Sequence, residues 1–372
     1  MTVWIQNPFD NLPCEGYRKQ RFYLMAEAFA AAGHRVVLWT SDFSHANKAK
    51  RVLSSLPTAF GLRLVPTPPY NRNVSLARVR SHRAFARAWK RLAREETEKP
   101  ALIVASMPTL SGAAAALDLG REFGARVVVD VMDAWPETFA RLFPKAPSPL
   151  ASLVFAPLAR QARRIYREAD LVTGVCARYR ELSGRGDYHL AYHGIELEGP
   201  APLCEDRPDG SPIRLVYAGN VGRTYDIETI LRAVEENPDF SLVIAGRWTK
   251  PVPKRVAVKG YLNAAALERL LAACDVGIVP MRPNSWVGVP YKLCDYAKAG
   301  LRVVSSLGGE SLDLLERHGC GCAYEPGDAR SLAAASRAAF ALPRENARRL
   351  CAAEFDARAI YADYVRFCLG GC

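Results

Sequence analysis

Short apolar runs alternate with longer amphipathic stretches along the whole chain. "TVWIQ" at Thr2, "HRVVLWTS" at His34, "ALIVAS" at Ala101, "ARVVVDV" at Ala125 and "ADLVTGV" at Ala169 are near-continuous in apolar residues, the pattern of parallel strands buried on both faces. Between the first two, apolar positions from Tyr17 to Ala32 recur at helical spacing, and Gly33 follows as the residue expected just past a helix end. The pattern breaks at "HGIELEGPAPLCEDRPDGSPIR", rich in Pro, Gly and acidic residues, and restarts with "LVYAGN", "SLVIAG", "VAVKGY", "DVGIVP" and "LRVVSS". The expectation is an α/β protein of two doubly wound, Rossmann-like domains, residues 1–196 and 213–354, joined by a linker at 197–212. An amphipathic helix in 355–372 is expected to pack back toward the first domain. Open α/β sheets bind ligands beyond the carboxyl ends of their strands, so a cleft between the two sheets is the expected site.

A length of 372 residues fits two cores, and 49% hydrophobic with 24% charged residues is the balance of a soluble globular protein. Fifty Lys+Arg against thirty-eight Asp+Glu leave a net charge of +12, which favours phosphate-bearing partners. The densest basic run, "ARVRSHRAFARAWKRLAR" from Ala77 to Arg94, has helical spacing. It reads as a solvated face over a buried stripe, as a contact with an anionic membrane surface, or, third, as a nucleic-acid contact. In the membrane reading Val79, Phe85, Trp89 and Leu92 are the apolar anchors. Ten cysteines form no C-x-x-C pair, and His318 with Cys320 and Cys322 supplies three zinc ligands at most, so scattered thiols in a reducing cytoplasm are expected. No secretory signal and no run of about 18 apolar residues is visible, and no G-x-G-x-x-G follows the first strand.

"VGVPYKLCDYAKAGLRVV", Val287 to Val304, places Pro290 where a helix should begin. Lys292 then falls in the first turn, where the helix dipole disfavours a cation. An anion lying against that turn would resolve the conflict, because free amides, dipole and lysine all favour it. Asp295 lies on the same helix face, so a surface salt bridge with Lys292 is the competing reading. "AGNVGRT", Ala218 to Thr224, is a glycine-containing strand-to-helix turn whose Gly219 and Gly222 let backbone approach a phosphate and whose Arg223 can neutralise it, unless it is a plain loop.

Taken in order, "LVYAGNVGRTYDIETILRAV", "VKGYLNAAALERLLAACDVGIVPM", "GVPYKLCDYAKAGLRVV" and "GGESLDLLERHGCGCAYEPGD" resemble the GT-B-fold, family-four retaining glycosyltransferases of bacterial surface-polysaccharide and lipid-linked-sugar synthesis. "EGYRKQRFYLMAEAFAAAGHRVVLWTSDFSH" and "DVMDAWPE" extend the likeness into the first half. The resemblance implies a GT-B fold and transfer of a sugar from a nucleotide-diphosphate donor to a hydroxyl of a glycan or lipid-linked acceptor, with retention and without metal or other cofactor. It implies a cytoplasmic enzyme, peripheral at an anionic membrane, with no nucleic-acid partner. Donor-binding residues by this likeness are Gly16, Gly219, Asn220, Gly222, Arg223, Val289, Pro290, Tyr291, Lys292 and Asp295, the last on ribose hydroxyls. Acceptor-binding residues are Glu15, Lys19, His45 and Trp135, and Asp133, Lys292 and Arg223 take the catalytic positions. Two departures stand out: Val287 occupies the position of the first acid of the E-x7-E motif, and Met132 that of a frequent histidine. For Asp133 a helix N-cap is the competing role, for His45 plain solvation, and His193 reads as structural. A non-hydrolysing nucleotide-sugar epimerase and a non-catalytic nucleotide-sugar-binding partner of a membrane transferase are the alternatives.

Overall fold

A computed structural model describes all residues except 56, 58, 139–147, 198–209, 220, 221, 223, 284, 371 and 372, and of 148–154 the backbone alone. Most of the expected linker therefore lies outside the described residues. The chain divides into two compact units, Met1–Gly194 with Arg358–Cys372, and Ile195–Ala357.

The first unit holds β1 (Thr2–Gln6), β2 (Arg35–Ser41), a short hairpin of β3 (Phe43–Ser44) and β4 (Ala49–Lys50), β5 (Gly61–Val65), β6 (Leu102–Met107), β7 (Arg126–Val131), β8 (Leu171–Gly174) and β9 (His189–Leu190). Seven of these form a parallel sheet in the order β5-β2-β1-β6-β7-β8-β9. Ile5 pairs with Leu38 on one side and Val104 on the other, and all three are fully buried, as near-continuous apolar strands require. The first helix runs Arg21–Ala31, starting later than the periodicity from Tyr17 predicts. Its start is set from a distance: the Asp10 carboxylate accepts the N–H of Phe22 at 2.9 Å, filling a first-turn amide that no adjacent side chain caps. Gly33 closes the helix with φ 82°, where a side chain would be strained.

Beneath the sheet's carboxyl edge lies a buried ion pair. Arg21 donates from Nε and Nη2 to the two oxygens of Asp130 at 2.8 and 2.7 Å, and from Nη1 to the carbonyls of Ala191 and Tyr192 at 2.8 Å each. Thr173 adds a hydroxyl to Asp130 at 2.7 Å, and the rings of Tyr361 and Tyr364 stand 5.8 Å from the guanidinium. Through these contacts the C-terminal helix, Ala357–Leu369, joins the first unit, with Tyr361 OH also accepting the N–H of Gly194 at 3.1 Å.

The second unit repeats the plan with β10 (Ile213–Ala218), β11 (Phe240–Ala245), β12 (Val256–Val258), β13 (Val276–Val279), β14 (Arg302–Ser305) and β15 (Gly321–Ala323), parallel in the order β12-β11-β10-β13-β14-β15. The helix Ile227–Glu236 is capped by Asp226, which accepts from the N–H and hydroxyl of Thr229, and Ala329–Phe340 is capped by Asp328. In both sheets the connection reverses direction beside the first strand, between β1 and β6 and between β10 and β13, which is where doubly wound sheets open a crevice for ligand.

Arg21 and Asp130 are both fully buried, so removing one partner strands a charge. Arg21→Ala should lower unfolding free energy by about 3–5 kcal/mol in urea titration, while Arg21→Met combined with Asp130→Leu should lose distinctly less.

Candidate functional site

Beyond β10 the chain turns at Gly219, whose φ of 132° is open only to glycine, and Gly219 N–H closes on Ala245 C=O at 2.9 Å. A Cβ at Gly246 would stand 2.1 Å from the Gly219 oxygen, so the turn lies against the end of β11 only because 246 is also glycine. Facing the turn is the helix Tyr291–Lys298. Pro290 is its N-cap, in extended conformation at φ −76° and ψ 144°, one residue outside the position expected for it. Val289 and Pro290 are buried and shape the helix entry rather than offering side chains to a ligand, whereas Tyr291 and Asp295 are half-buried. The loop before the helix is pinned from the other side, Ser311 Oγ donating to Gly288 C=O and Val287 N–H to Ser285 Oγ.

Lys292 is only 8% exposed, and its Nζ makes no hydrogen bond and no ion pair among the described residues. The surface salt bridge with Asp295 is therefore not formed. Instead the amine lies 3.9 Å from the ring centroid of Tyr217 and 4.0 Å from that of Tyr225, and a Cβ at Gly219 would touch it at 3.5 Å. Burial alone holds this group well below the ordinary lysine range. Ring faces return about 0.5–2 kcal/mol each to an ammonium, against burial shifts that reach about 3–5 units at about 1.4 kcal/mol per unit. Desolvation wins, and the empty site favours the neutral amine. Gly222 gives its carbonyl to Tyr225 N–H at 3.2 Å, and a side chain there would meet only the Tyr225 ring, at 4.0 Å. Asn220 and Arg223 lie outside the described residues.

A second cluster stands at the carboxyl end of the first sheet. The Arg78 guanidinium lies 4.8 Å from the Trp135 ring, 5.2 Å from Phe9 and 5.9 Å from Tyr70, and donates from Nε to His82 at 3.3 Å. His45 shares a hydrogen bond with Tyr70 OH, and Lys48 Nζ is 3.3 Å from the same imidazole nitrogen. Burial first, then Arg78, pushes His45 and His82 down to about 3, so both imidazoles are neutral. The same causes bring Lys48 down to about 8. Asp133 accepts from Trp135 Nε1 at 3.0 Å and Thr138 Oγ1 at 3.1 Å, and burial raises its pKa against the pull of those bonds. The carboxylate thus fixes the indole.

The structure brings His45, Asp133 and Trp135 together in this cluster and leaves other named residues out. Glu15 is buried in a pair with Arg51 and accepts the N–H of Leu12 at 3.0 Å, so its carboxylate is already occupied. Lys19 pairs with Glu27 at 2.9 Å, and Gly16, at φ 81°, ends a single 3-10 turn, Pro13–Glu15. His193 is buried and held neutral by burial, then by Arg21 and Arg18. Tyr217, Tyr225, Gly246, Arg78, Tyr70 and His82 were not foreseen. For two of them a signal existed: Arg78 and His82 continue the buried line of Phe85 and Trp89 on the helix Leu76–Glu95, polar residues on an apolar stripe. Among the described residues all cysteines are free thiols, and no group of three His, Cys, Asp or Glu is placed to hold a metal.

Residues 19–187 match the family model described as Glycosyl transferase 4-like domain, and residues 212–341 that of Glycosyl transferases group 1. Among solved structures, the sucrose-phosphate synthase of Thermosynechococcus elongatus is similar at TM-score 0.75 and 16% identity, over 98% of this chain and 97% of that one. Anabaena HepE in complex with UDP-glucose is similar at TM-score 0.67 and 14% identity, over 100% of both chains. WaaG, a glycosyltransferase involved in lipopolysaccharide biosynthesis, is similar at TM-score 0.64 and 15% identity, over 99% of this chain and 100% of its own. At such identities the likeness speaks for the fold. No curated protein sequence matches the chain.

An unpaired buried lysine is a liability in the empty protein. Lys292→Met should raise the melting temperature. Because its folded pKa is depressed, the wild type gains stability as pH rises from that value toward the ordinary lysine pKa. The advantage of Met should therefore be largest at low pH and shrink toward pH 10, which melting curves across that range will show.

Proposed function

Since the chain belongs to the GT-B glycosyltransferases, we propose that it moves a sugar from a nucleotide-diphosphate donor to an acceptor hydroxyl with retention at the anomeric carbon, in surface-glycan or glycolipid synthesis. The observation that carries this reading is the Lys292 amine, buried and without a hydrogen bond among the described residues, beside Gly219 at the switch point of the second sheet. A diphosphate there gains the positive end of the dipole of the Tyr291–Lys298 helix and a cation with no hydrogen bond among the described residues. Charge developing on the leaving diphosphate is met by these fixed groups, an electrostatic role that needs no metal. Asp295 is assigned the ribose hydroxyls, and Arg223 the phosphates. In the first unit, Trp135 offers a flat apolar face and His45 a neutral imidazole to a sugar acceptor, with Asp133 holding the indole in place.

We assign the enzyme to the cytoplasm, peripheral at the membrane, a reading supported by the basic face of the helix Leu76–Glu95, though two of the anchors expected there are not available. Phe85 and Trp89 are 1% and 0% exposed and belong to the core, while Arg78 joins the Trp135 cluster. Lys90 pairs with Asp118 and Arg94 with Glu122. Arg80, Arg83, Arg87 and Arg91 remain on one exposed face without an ion pair among the described residues, beside Leu76 at 77% and Val79 at 41% exposure. Four such cations contribute about 1 kcal/mol each near an anionic leaflet, enough to hold the enzyme beside a lipid-linked acceptor. Among the described residues no helix is long and apolar enough to cross a membrane.

Lys292→Ala removes one charge-assisted contact of about 1.5–3 kcal/mol, so nucleoside diphosphates should bind about 10- to 150-fold more weakly while nucleosides are unaffected. Equal weakening of both sinks the assignment. Turnover with an acceptor should persist in excess EDTA; product formed from nucleotide sugar alone would instead mark an epimerase, and binding without transfer a non-catalytic partner. Sedimentation with anionic liposomes at low salt should vanish in a folded Arg83→Glu, Arg87→Glu, Arg91→Glu variant, and unchanged sedimentation would leave the helix a solvated face.

A further inference from the structure

Lys292 is enclosed in an unusual way. The rings of Tyr217 and Tyr225 meet edge to face, with centroids 5.8 Å apart and planes at 66°, and the amine lies in the corner between their faces at 3.9 and 4.0 Å. Tyr217 is fully buried in the core on β10, which fixes one wall. The other wall is set by the turn: Tyr225 N–H closes on Gly222 C=O at 3.2 Å, and Tyr225 bridges to Met281 at the end of β13. Two strands on opposite sides of the switch point thus anchor the corner.

Resting on the donor reading above, we infer that Tyr217 and Tyr225 are positioning residues for the donor's diphosphate: they store Lys292 as a neutral amine in the empty site and stabilise its ammonium once phosphate arrives. A ring face attracts an ammonium through its quadrupole but gains little from a neutral amine. In the empty site the corner therefore fixes where the side chain lies, and its attraction is realised when the bound anion's charge draws a proton from solvent onto Nζ. Among the described residues the titratable groups around Nζ are the phenols of Tyr217 from β10 and Tyr225 from the turn, with Tyr296 from its own helix, whose hydroxyl accepts the N–H of Ala218 at 2.9 Å. Burial raises the phenols of Tyr217 and Tyr296 above their ordinary value, and burial is the one cause acting on Lys292 itself. Nucleoside diphosphate binding should then be coupled to uptake of a proton at Nζ.

The test is titration calorimetry of the full chain with UDP, GDP, ADP and the matching nucleosides, in buffers of differing ionisation enthalpy from pH 7 to 9. The expected result is uptake approaching one proton per diphosphate, absent for nucleosides and lost in Lys292→Met. Tyr225→Leu should weaken diphosphate binding at least about fivefold, within the range for one cation–ring contact, with nucleoside binding unchanged, and Tyr225→Phe should restore it. Diphosphate binding without proton uptake, or Tyr225→Leu binding like wild type, overturns the inference while leaving the donor site standing. If no nucleotide binds, the donor reading fails, and nuclear magnetic resonance of Lys292 Nζ in the free protein decides separately: titration in the ordinary lysine range refutes the stored neutral amine, and titration below it upholds the corner.

Discussion

A lysine taken out of water with no anion beside it among the described residues is the constraint on which the second unit turns. Such burial is costly, and a fold selected for stability alone would place an apolar side chain there. Here the surroundings are built to keep the cost in place: glycine at 219 and 246 allows the turn to close over the amine, Tyr217 is locked in the core, and Pro290 starts the helix that carries it. The liability is confined to one point, at the switch point of the sheet, where doubly wound folds open a crevice for ligand. Desolvation concentrated in this way is what the proposed donor site rests on.

The first unit answers a different physical problem. Arg21 and Asp130 are also fully buried, yet each is saturated, by one another, by Thr173 and by the carbonyls of Ala191 and Tyr192. That pair organises structure and offers nothing to a ligand. Its neighbour at the sheet edge, the cluster of Arg78, His82, His45, Tyr70 and Trp135, is instead aromatic, with two neutral imidazoles and a guanidinium set against ring faces. In the proposed reading the two units divide the chemistry, one supplying a cation for the diphosphate and the other aromatic faces for the acceptor.

Much of this was legible in the sequence because strand burial writes itself as apolar runs, and the two sheets follow those runs closely. Lys292 was legible as well, since a cation in the first turn of a helix contradicts the dipole and asks for an anion. What surrounds it was not. Tyr217 reads as an ordinary core residue of "LVYAGN", and nothing local says that Tyr225, eight residues on, returns to face it. The helix Leu76–Glu95 misled in the opposite direction. Its Phe and Trp suit a membrane anchor by composition, but which side of a basic helix is covered depends on the sheet it packs against, and that is a tertiary fact. The pairing of Glu15 was hidden for a similar reason, because its partner Arg51 lies on a distant loop.

The central claim is that the donor's diphosphate lies on Lys292, and a crystal structure of the protein with UDP tests it most directly. A β-phosphate oxygen about 3 Å from Lys292 Nζ, with the Tyr217 and Tyr225 rings still against the ammonium, is the result this account requires. UDP bound with its phosphates away from Lys292, and the amine still enclosed as in the empty site, would contradict it.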